Sequence, residues 1–237
     1  MLRLFSLALL AACSLVAFAA PVPKQVQERD AILKLFGTPT DPSKEAEFAI
    51  EGQKLVIRLP KPTPRNSFAL TFPHTLRSVS GDFVLQVKVS YPLPEKVPPV
   101  GMGKMCAAGG LFIWDSEENH VLFHRHHQPC GLFDGTTRWD THFCIEYNRG
   151  VTSMHHQNGH GKSEAPPVYL RLTREKGVVT PTYSYDGKQW EKQQPGEMKL
   201  PEKVMVGIYA LRTADTPTTV TFEGFSVTPI GGAEKEK

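Results

Sequence analysis

The stretch of residues 107–157 constrains the fold of this chain more than any other part of it. It contains most of the nine histidines and four short runs in which apolar and polar residues largely alternate: LFIWD, HVLFHRH, HFCIEYN and VTSMHHQ. Alternation with a period of two is typical of strands that bury one face. The segments between the runs carry turn-forming residues. The stretch therefore predicts a meander of four antiparallel strands.

Hairpin geometry predicts which residues of these strands face one another. A first turn at residues 116–118 pairs residues whose numbers sum to about 234, and the next two turns give sums of about 268 and about 299. This register sorts the side chains into two faces. The apolar face, expected to enter the core, consists of Leu111, Ile113, Val121, Phe123, Phe143, Ile145, Tyr147 and Met154.

The opposite face, called the polar face below, is the predicted functional surface. Its register places His124, Cys144 and His155 side by side across three strands. A slip of one residue in any strand would turn that strand's set inward. The polar face consists of Phe112, Trp114, His120, Leu122, His124, His126, His142, Cys144, Glu146, Asn148, His155 and Gln157.

The N-terminus has the pattern of an export signal. After Met-Leu-Arg comes a run of about 17 apolar residues, short for a membrane span, and the small residues before Ala20 resemble a cleavage site. We expect residues 1–19 to be removed and the protein to be periplasmic or extracellular. Leu10-Ala11-Ala12-Cys13 also resembles a lipobox, which would make Cys13 a lipid anchor instead.

Three cysteines follow the signal segment, and an oxidising compartment favours pairing of two of them. Extending the first hairpin's register places Cys106 opposite residue 128, close to Cys130. The sequence therefore predicts a Cys106–Cys130 disulfide, with Cys144 as a lone thiol on the polar face.

The rest of the chain predicts a single all-β domain. About a dozen short alternating runs with turns every 8 to 12 residues favour a sandwich of two antiparallel sheets. Residues 20–44 form an N-terminal segment with one short helix whose stripe is Ile32, Leu33, Leu35 and Phe36, residues 45–230 form the sandwich, and residues 231–237 form a charged tail. Lys and Arg number 27 against 24 Asp and Glu, without a basic block, so nucleic acid is not an expected partner.

Four segments carry a family resemblance: SGDFVLQVKV, AGGLFIWDSEENHVLF, VYLRLTREKGVVTPTYSYDGKQWE and KVMVGIYALRTADTPTTVTFEGFSV. In that order they resemble the secreted regulation of enolase protein 1 family, in the concanavalin A-like lectin/glucanase superfamily. The S-x-D-G-x-x-W pattern at Ser184–Trp190 is the most specific piece. The resemblance implies a bacterial, jelly-roll β-sandwich with a concave sheet on which superfamily members often hold glycans, and it implies no established reaction.

Carbohydrate binding is the function that this resemblance and the polar face favour together. Aromatic rings that stack on sugars, surrounded by planar polar groups, suit a glycan site. The candidate ligand-binding residues are Phe112, Trp114, His120, His124, His126, His142, Glu146 and His155. In the alternative interpretation, a loop such as the Pro-rich segment 92–105 covers Phe112 and Trp114, which then serve only as packing.

Two further alternatives concern chemistry on the same face. A glycoside or keto-disaccharide hydrolase of the superfamily generally requires two carboxyl groups, and the face offers Glu146 as its one catalytic candidate. Asp115, Glu117 and Glu118 fall in a predicted turn.

The sequence predicts no cofactor. In the alternative interpretation, a zinc or copper site would use His124, His142, Cys144 and His155, which are suitable donors. A His-rich polar surface open to water is the simpler interpretation of the same residues. The remaining alternative is a cell-envelope module that binds a protein partner.

Overall fold

The structure is a computed structural model that describes residues 24–63, 70–93, 107–131, 137–149, 152–160 and 165–231. Side chains are described within 28–63, 70–93, 107–128, 141–148 and 165–231. The predicted signal segment 1–19, Cys13, the Cys106–Cys130 disulfide, the side chain of His155 and nearly all of the charged tail lie outside these ranges. Those expectations remain predictions.

One helix and fifteen strands follow one another along the described chain. They are α1 (Lys24–Phe36), β1 (Thr38–Thr40), β2 (Glu47–Glu51), β3 (Lys54–Leu59), β4 (His74–Ser80), β5 (Phe83–Ser90), β6 (Ala107–Ser116), β7 (Asn119–Gly131), β8 (Thr137–Arg149), β9 (Thr152–His160), β10 (Val168–Glu175), β11 (Val178–Ser184), β12 (Glu191–Lys192), β13 (Gly196–Glu197), β14 (Lys203–Leu211) and β15 (Thr218–Pro229).

The strands form two antiparallel sheets. The seven-stranded sheet has the order β1-β4-β14-β6-β7-β8-β9, and the eight-stranded sheet has the order β12-β11-β10-β5-β15-β3-β2, with β13 paired to β11. The predicted meander, β6 to β9, makes up the last four strands of the seven-stranded sheet, with β9 at its edge. The expected all-β sandwich of two antiparallel sheets is confirmed.

The main core lies between the sheets and follows from strict alternation. In β5, Phe83, Leu85, Val87 and Val89 are fully buried, whereas the residues between them are half-buried. The apolar face of β6, β7 and β8 contributes its predicted residues to the same core. Each such side chain stabilises the fold by about 1.5–3 kcal/mol relative to exposure, so the meander is held to the other sheet mainly by this face.

Helix α1 packs on the sandwich through two residues one turn apart. Ile32 and Phe36 are buried, whereas Leu33 and Leu35 are more than a third exposed, so the predicted stripe of four residues is half right. The helix ends at Phe36. The next residue, Gly37, has a φ of 99°, and its missing side chain leaves room for the carbonyl oxygen of Leu76. A β-carbon there would lie 2.3 Å from that oxygen.

The S-x-D-G-x-x-W segment forms a tight turn between β11 and β12. The Asp186 carboxylate accepts hydrogen bonds from the backbone N–H groups of Gln189 and Lys188, both 2.8 Å long. These bonds lower the pKa of Asp186. Beyond the turn, the Trp190 ring lies under the Arg171 guanidinium, with the central carbon 3.6 Å from the ring centroid. The segment is thus a turn and packing motif on the outer side of the eight-stranded sheet.

The register of the meander agrees with prediction in two hairpins and differs in the third. Trp114 pairs with His120 and His124 pairs with Cys144, as the sums of about 234 and about 268 require. In the last hairpin Arg149 pairs with Thr152, one residue later than the expected reversal. The prediction that Cys144 neighbours His155 is therefore wrong, since Cys144 pairs with Gln157.

Candidate functional site

The polar face has the predicted membership, but water does not reach most of it. His124, Cys144 and Glu146 are at most 2% exposed, and Phe112, His120 and Asn148 are fully buried. Trp114 and His142 are the half-buried members among those whose side chains are described. The expectation of an open polar surface is wrong at the centre of the face, and among the described side chains water partly reaches Trp114 and His142.

A second hydrophobic cluster explains part of this burial. It consists of Phe72, Ala108, Phe112, Leu122, Tyr209 and Leu211. Phe72, from the segment that precedes β4, lies over the face with its ring centroid 4.6 Å from that of Tyr209. His74 meets Phe112 edge-on at 5.8 Å. Phe112 is therefore a packing residue, which contacts His74 and Tyr209 and belongs to the same cluster as Phe72.

A row of residues at equivalent heights crosses the centre of the sheet. Cross-strand pairing joins His74 to Tyr209, Tyr209 to Gly110, Gly110 to His124 and His124 to Cys144. Because Gly110 has no side chain, the Tyr209 hydroxyl reaches across β6 and forms a 2.6 Å hydrogen bond with Nδ1 of His124. Tyr209 and His74 come from strands far from the meander in sequence, so periodicity within residues 107–157 did not identify them.

Three potential ligands meet at the His124–Cys144 end of this row. His124, Cys144 and Glu146 each offer one atom, and these atoms all lie within 4.8 Å of one another. Sγ of Cys144 lies 3.9 Å from Oε1 of Glu146. The structure thus joins His124 and Cys144, as predicted, and adds Glu146 to them.

The other two predicted metal ligands have different positions. His142 lies one step along the face, where its ring stacks on His126 with centroids 5.3 Å apart and its Nε2 contacts the Gln128 amide at 3.1 Å. His155 pairs in register with Glu146 rather than with Cys144.

Trp114 marks the end of the face nearest the β6–β7 turn. Its ring stacks on His120 with centroids 4.3 Å apart and an interplanar angle of 25°. His120 is itself fixed on both ring nitrogens, by the Ser116 carbonyl at 3.1 Å and the Asn148 amide at 2.6 Å. The indole is therefore a pre-oriented aromatic surface at the border between buried and exposed parts of the face.

A polar network on the core side of the same strands was missed by sequence reasoning. His127 contacts the Tyr91 hydroxyl at 2.9 Å and the Thr141 hydroxyl at 2.5 Å. The buried Arg125 donates to the Pro166 carbonyl and lies over the Tyr91 ring. Burial raises the pKa of Tyr91 to about 12, although the Arg125 charge opposes this change. The adjacent pair His126-His127 was the available signal, since one of two neighbours in a strand must face inward.

A cavity of about 610 Å³ lies away from the polar face, at the β10–β11 turn and β13. Its lining includes Lys176, Glu197 and Met198. This cavity and the cluster of chemically reactive side chains on the polar face therefore lie at different places in the described part of the chain. The polar face is the stronger candidate, because it brings an imidazole, a thiol and a carboxylate together.

Comparison with known proteins identifies the fold. No protein-family model and no curated protein matches the chain. Among solved structures, a functionally unknown protein from Saccharomyces cerevisiae matches with a TM-score of 0.60 and 17% identity over 81% of this chain and 100% of that one. The GH43 protein BlXynB from Bacillus licheniformis matches with a TM-score of 0.56 and 15% identity over 78% of this chain.

The chain spans only 35% of the GH43 protein's length. A legume lectin-like domain from Entamoeba histolytica matches over its whole length and 94% of this chain, with a TM-score of 0.50 and 8% identity. At these identities the likeness concerns the fold alone. The chain thus has a concanavalin A-like, lectin-like jelly-roll sandwich. Within the described residues, none of the helical structure is long and apolar enough to cross a membrane.

Proposed function

We propose that this chain is an exported lectin-like module that binds carbohydrate at the Trp114 end of the polar face. The observation that carries the proposal is the half-buried indole stacked on His120 at 4.3 Å. A sugar ring presents C–H groups that pack on an aromatic face and hydroxyls that need planar polar partners. Because both nitrogens of His120 are engaged, Trp114 needs little reordering on binding, which reduces its entropic cost.

The lectin-like fold supports the same ligand class by analogy alone. The burial of His124, His126 and Glu146 moves the proposed site from the centre of the face to its Trp114 end. The exposed Asp115 and the half-buried Asn119, at the β6–β7 turn, lie next to this end, and Asn119 donates to the Asp115 carboxylate over 3.0 Å. They supply hydroxyl-binding groups of the kind that a sugar requires.

A glycan array followed by titration calorimetry tests this function. The wild-type chain should bind at least one glycan class, and Trp114→Ala should lower that affinity by about twofold to about tenfold, since an aromatic stacking contact is worth about 0.5–1.5 kcal/mol and 1.4 kcal/mol corresponds to a factor of ten. Trp190→Ala is the matched control, because Trp190 is also half-buried but packs on Arg171 in the other sheet. It should leave binding unchanged.

Absence of binding across the array contradicts the proposal and favours a cell-envelope protein partner. Loss of binding in Trp190→Ala with retention in Trp114→Ala moves the site to the other sheet. A glycosidase function is not proposed, because Glu146 is the one carboxylate on the polar face among its described side chains and the common mechanisms need two.

We also propose that the protein is exported by residues 1–19 and that residues 45–230 form the sandwich domain, within the regulation of enolase protein 1 family. The order of the resembling segments and the Ser184–Trp190 turn support this assignment.

Intact-mass analysis of the mature protein tests export: cleavage after Ala19 is expected, whereas a diacylglyceryl adduct on Cys13 would show lipidation instead. The structure of a family member should contain the same turn between equivalent strands.

A further inference from the structure

The buried centre of the polar face contains a donor set that glycan binding does not use. His124 on β7 and Cys144 and Glu146 on β8 are all buried, and their potential ligand atoms lie within 4.8 Å of one another. These atoms are an imidazole nitrogen, a thiol sulfur and a carboxylate oxygen, which are ligand types that transition-metal ions accept in proteins.

We propose that His124, Cys144 and Glu146 form a zinc site. Zinc accepts imidazole nitrogen, thiolate sulfur and carboxylate oxygen, with ligand distances of about 2.0–2.3 Å. Copper(I) favours soft sulfur ligands, and calcium and magnesium favour oxygen ligands alone, so this mixed set fits zinc best. The site lies apart from Trp114, and the proposal is independent of carbohydrate binding.

The strands position these donors without a short sequence motif. His124 and Cys144 are directly opposite in the β7–β8 pairing, and Glu146 follows Cys144 by two residues, so its side chain projects from the same face. Cross-strand neighbours have β-carbons about 4.5–5.5 Å apart. This spacing brings three donors around one point, and water or another group can complete a tetrahedron.

Tyr209 completes the arrangement as a positioning residue. Its hydroxyl contacts Nδ1 of His124 at 2.6 Å, so Nε2 is the nitrogen through which His124 would bind the ion. Metal-bound histidines commonly hold their second nitrogen in such a hydrogen bond, which fixes the ring and its tautomer. Binding converts the Cys144 thiol to a thiolate and releases its proton to solvent.

Metal titration of the full chain, stripped with a chelator, tests the proposal. We expect one zinc ion per chain with saturable heat at micromolar protein, and a higher melting temperature with zinc than without it. Cobalt(II) should give a thiolate-to-metal charge-transfer band and the intense visible bands of tetrahedral coordination. X-ray absorption at the zinc edge should show one sulfur at about 2.3 Å with nitrogen or oxygen neighbours.

Three variants locate the ion. Cys144→Ser should abolish the charge-transfer band, and Glu146→Gln should lower zinc affinity at least tenfold. His142→Gln, on the same face but outside the triad, is the matched control and should bind zinc like the wild type. If a buried variant does not fold, the wild-type stoichiometry and absorption spectrum still decide the question.

The absence of saturable binding, a zinc shell without sulfur, or a charge-transfer band that persists in Cys144→Ser would overturn the proposal. It is also overturned if His142→Gln loses zinc and Glu146→Gln retains it. Glycan binding by Trp114 is measured separately, so either result leaves the carbohydrate proposal to its own test.

Discussion

Gly110 determines how closely β6 and β7 can approach each other at the centre of the polar face. A β-carbon at this position would lie 2.3 Å from the Phe123 carbonyl oxygen and 2.6 Å from Cβ of His124. The same vacancy lets the Tyr209 hydroxyl reach His124. The identity of one residue therefore controls both the sheet geometry and the hydrogen bond that orients a candidate ligand.

Gly110→Ala should destabilise the protein by about 1–3 kcal/mol, because overpacking forces the backbone or neighbouring side chains to move. Urea denaturation monitored by tryptophan fluorescence measures the change. Gly52→Ala is the control, since an added β-carbon there has no atom within 4 Å and meets only the cost of its positive φ of 66°. Equal losses in the two variants would contradict the crowding argument.

Tyr209→Phe should lower the free energy of unfolding by about 1 kcal/mol, since it removes the hydroxyl but keeps the ring that packs on Phe72. If His124 binds zinc, the same change should weaken zinc binding by about 10-fold to 100-fold. Chemical denaturation and metal titration measure the two effects. Tyr169→Phe, on the outer side of the other sheet, should change neither quantity.

At the scale of the elements, segment 70–73 packs against the seven-stranded sheet through Phe72 and leads directly into β4. His74, the first residue of β4, is 2% exposed and its Nδ1 lies 2.7 Å from the Phe72 carbonyl oxygen. Burial lowers the pKa of His74, although this hydrogen bond and the Asp41 charge oppose the change. The segment is thus held by a histidine that favours its neutral form.

The lowered pKa gives the stability a defined pH dependence. Above the unfolded-state pKa of about 6.5 both states are neutral at His74 and its contribution is fully present. As pH falls below that value the unfolded state takes up the proton first, so stability is lost until the folded-state pKa is passed. Between about pH 7 and about pH 5, the melting temperature of the wild type should fall more steeply than that of His74→Gln.

Leu76→Ala is the control for this comparison, because it weakens the same strand without removing a titratable group. Its melting temperature should follow the wild-type slope at a lower absolute value. Identical slopes in wild type and His74→Gln would show that His74 is not responsible for the acid sensitivity.

Strand β8 connects the two sheets through Phe143. Its ring stacks on Tyr183 of β11 with centroids 3.7 Å apart and an interplanar angle of 11°. Phe143→Ala should cost about 3–5 kcal/mol, as expected when a buried aromatic ring is removed. Val84→Ala, half-buried on the outer side of β5, should cost about 0.5 kcal/mol or less. Guanidinium denaturation of both variants checks the difference.

Period-two patterns predicted the elements well because they depend only on local alternation. They identified the meander, the two faces and the first two registers. They could not predict that His74 packs against Phe112 or that Tyr209 reaches His124, because both contacts join segments far apart in sequence. In the third hairpin the numbers of paired residues sum to two more than predicted. Turn length, and not alternation, determines where a hairpin reverses.

The whole molecule is a two-sheet sandwich whose seven-stranded sheet has a buried centre on both sides. The core cluster packs on one side and the second hydrophobic cluster on the other. Helix α1 belongs to this body, because Ile32 and Phe36 join the main core. The fold could be predicted from composition, turn spacing and family resemblance, whereas the burial of the candidate site required the full set of long-range contacts.

The polar network on the core side of the sheet also determines the register of β7. It consists of Arg125, His127, Tyr91 and Thr141. Hydrophobic alternation is unchanged when a strand slides by two residues, so it cannot by itself reject such a misaligned sheet. A slide of β7 against its neighbours would separate the His127 ring from Tyr91 and Thr141, and could draw the Arg125 guanidinium away from the Pro166 carbonyl into aliphatic surroundings. A buried charge without partners costs several kcal/mol. These few polar groups thus specify the native strand register and disfavour shifted registers that the apolar core alone would tolerate.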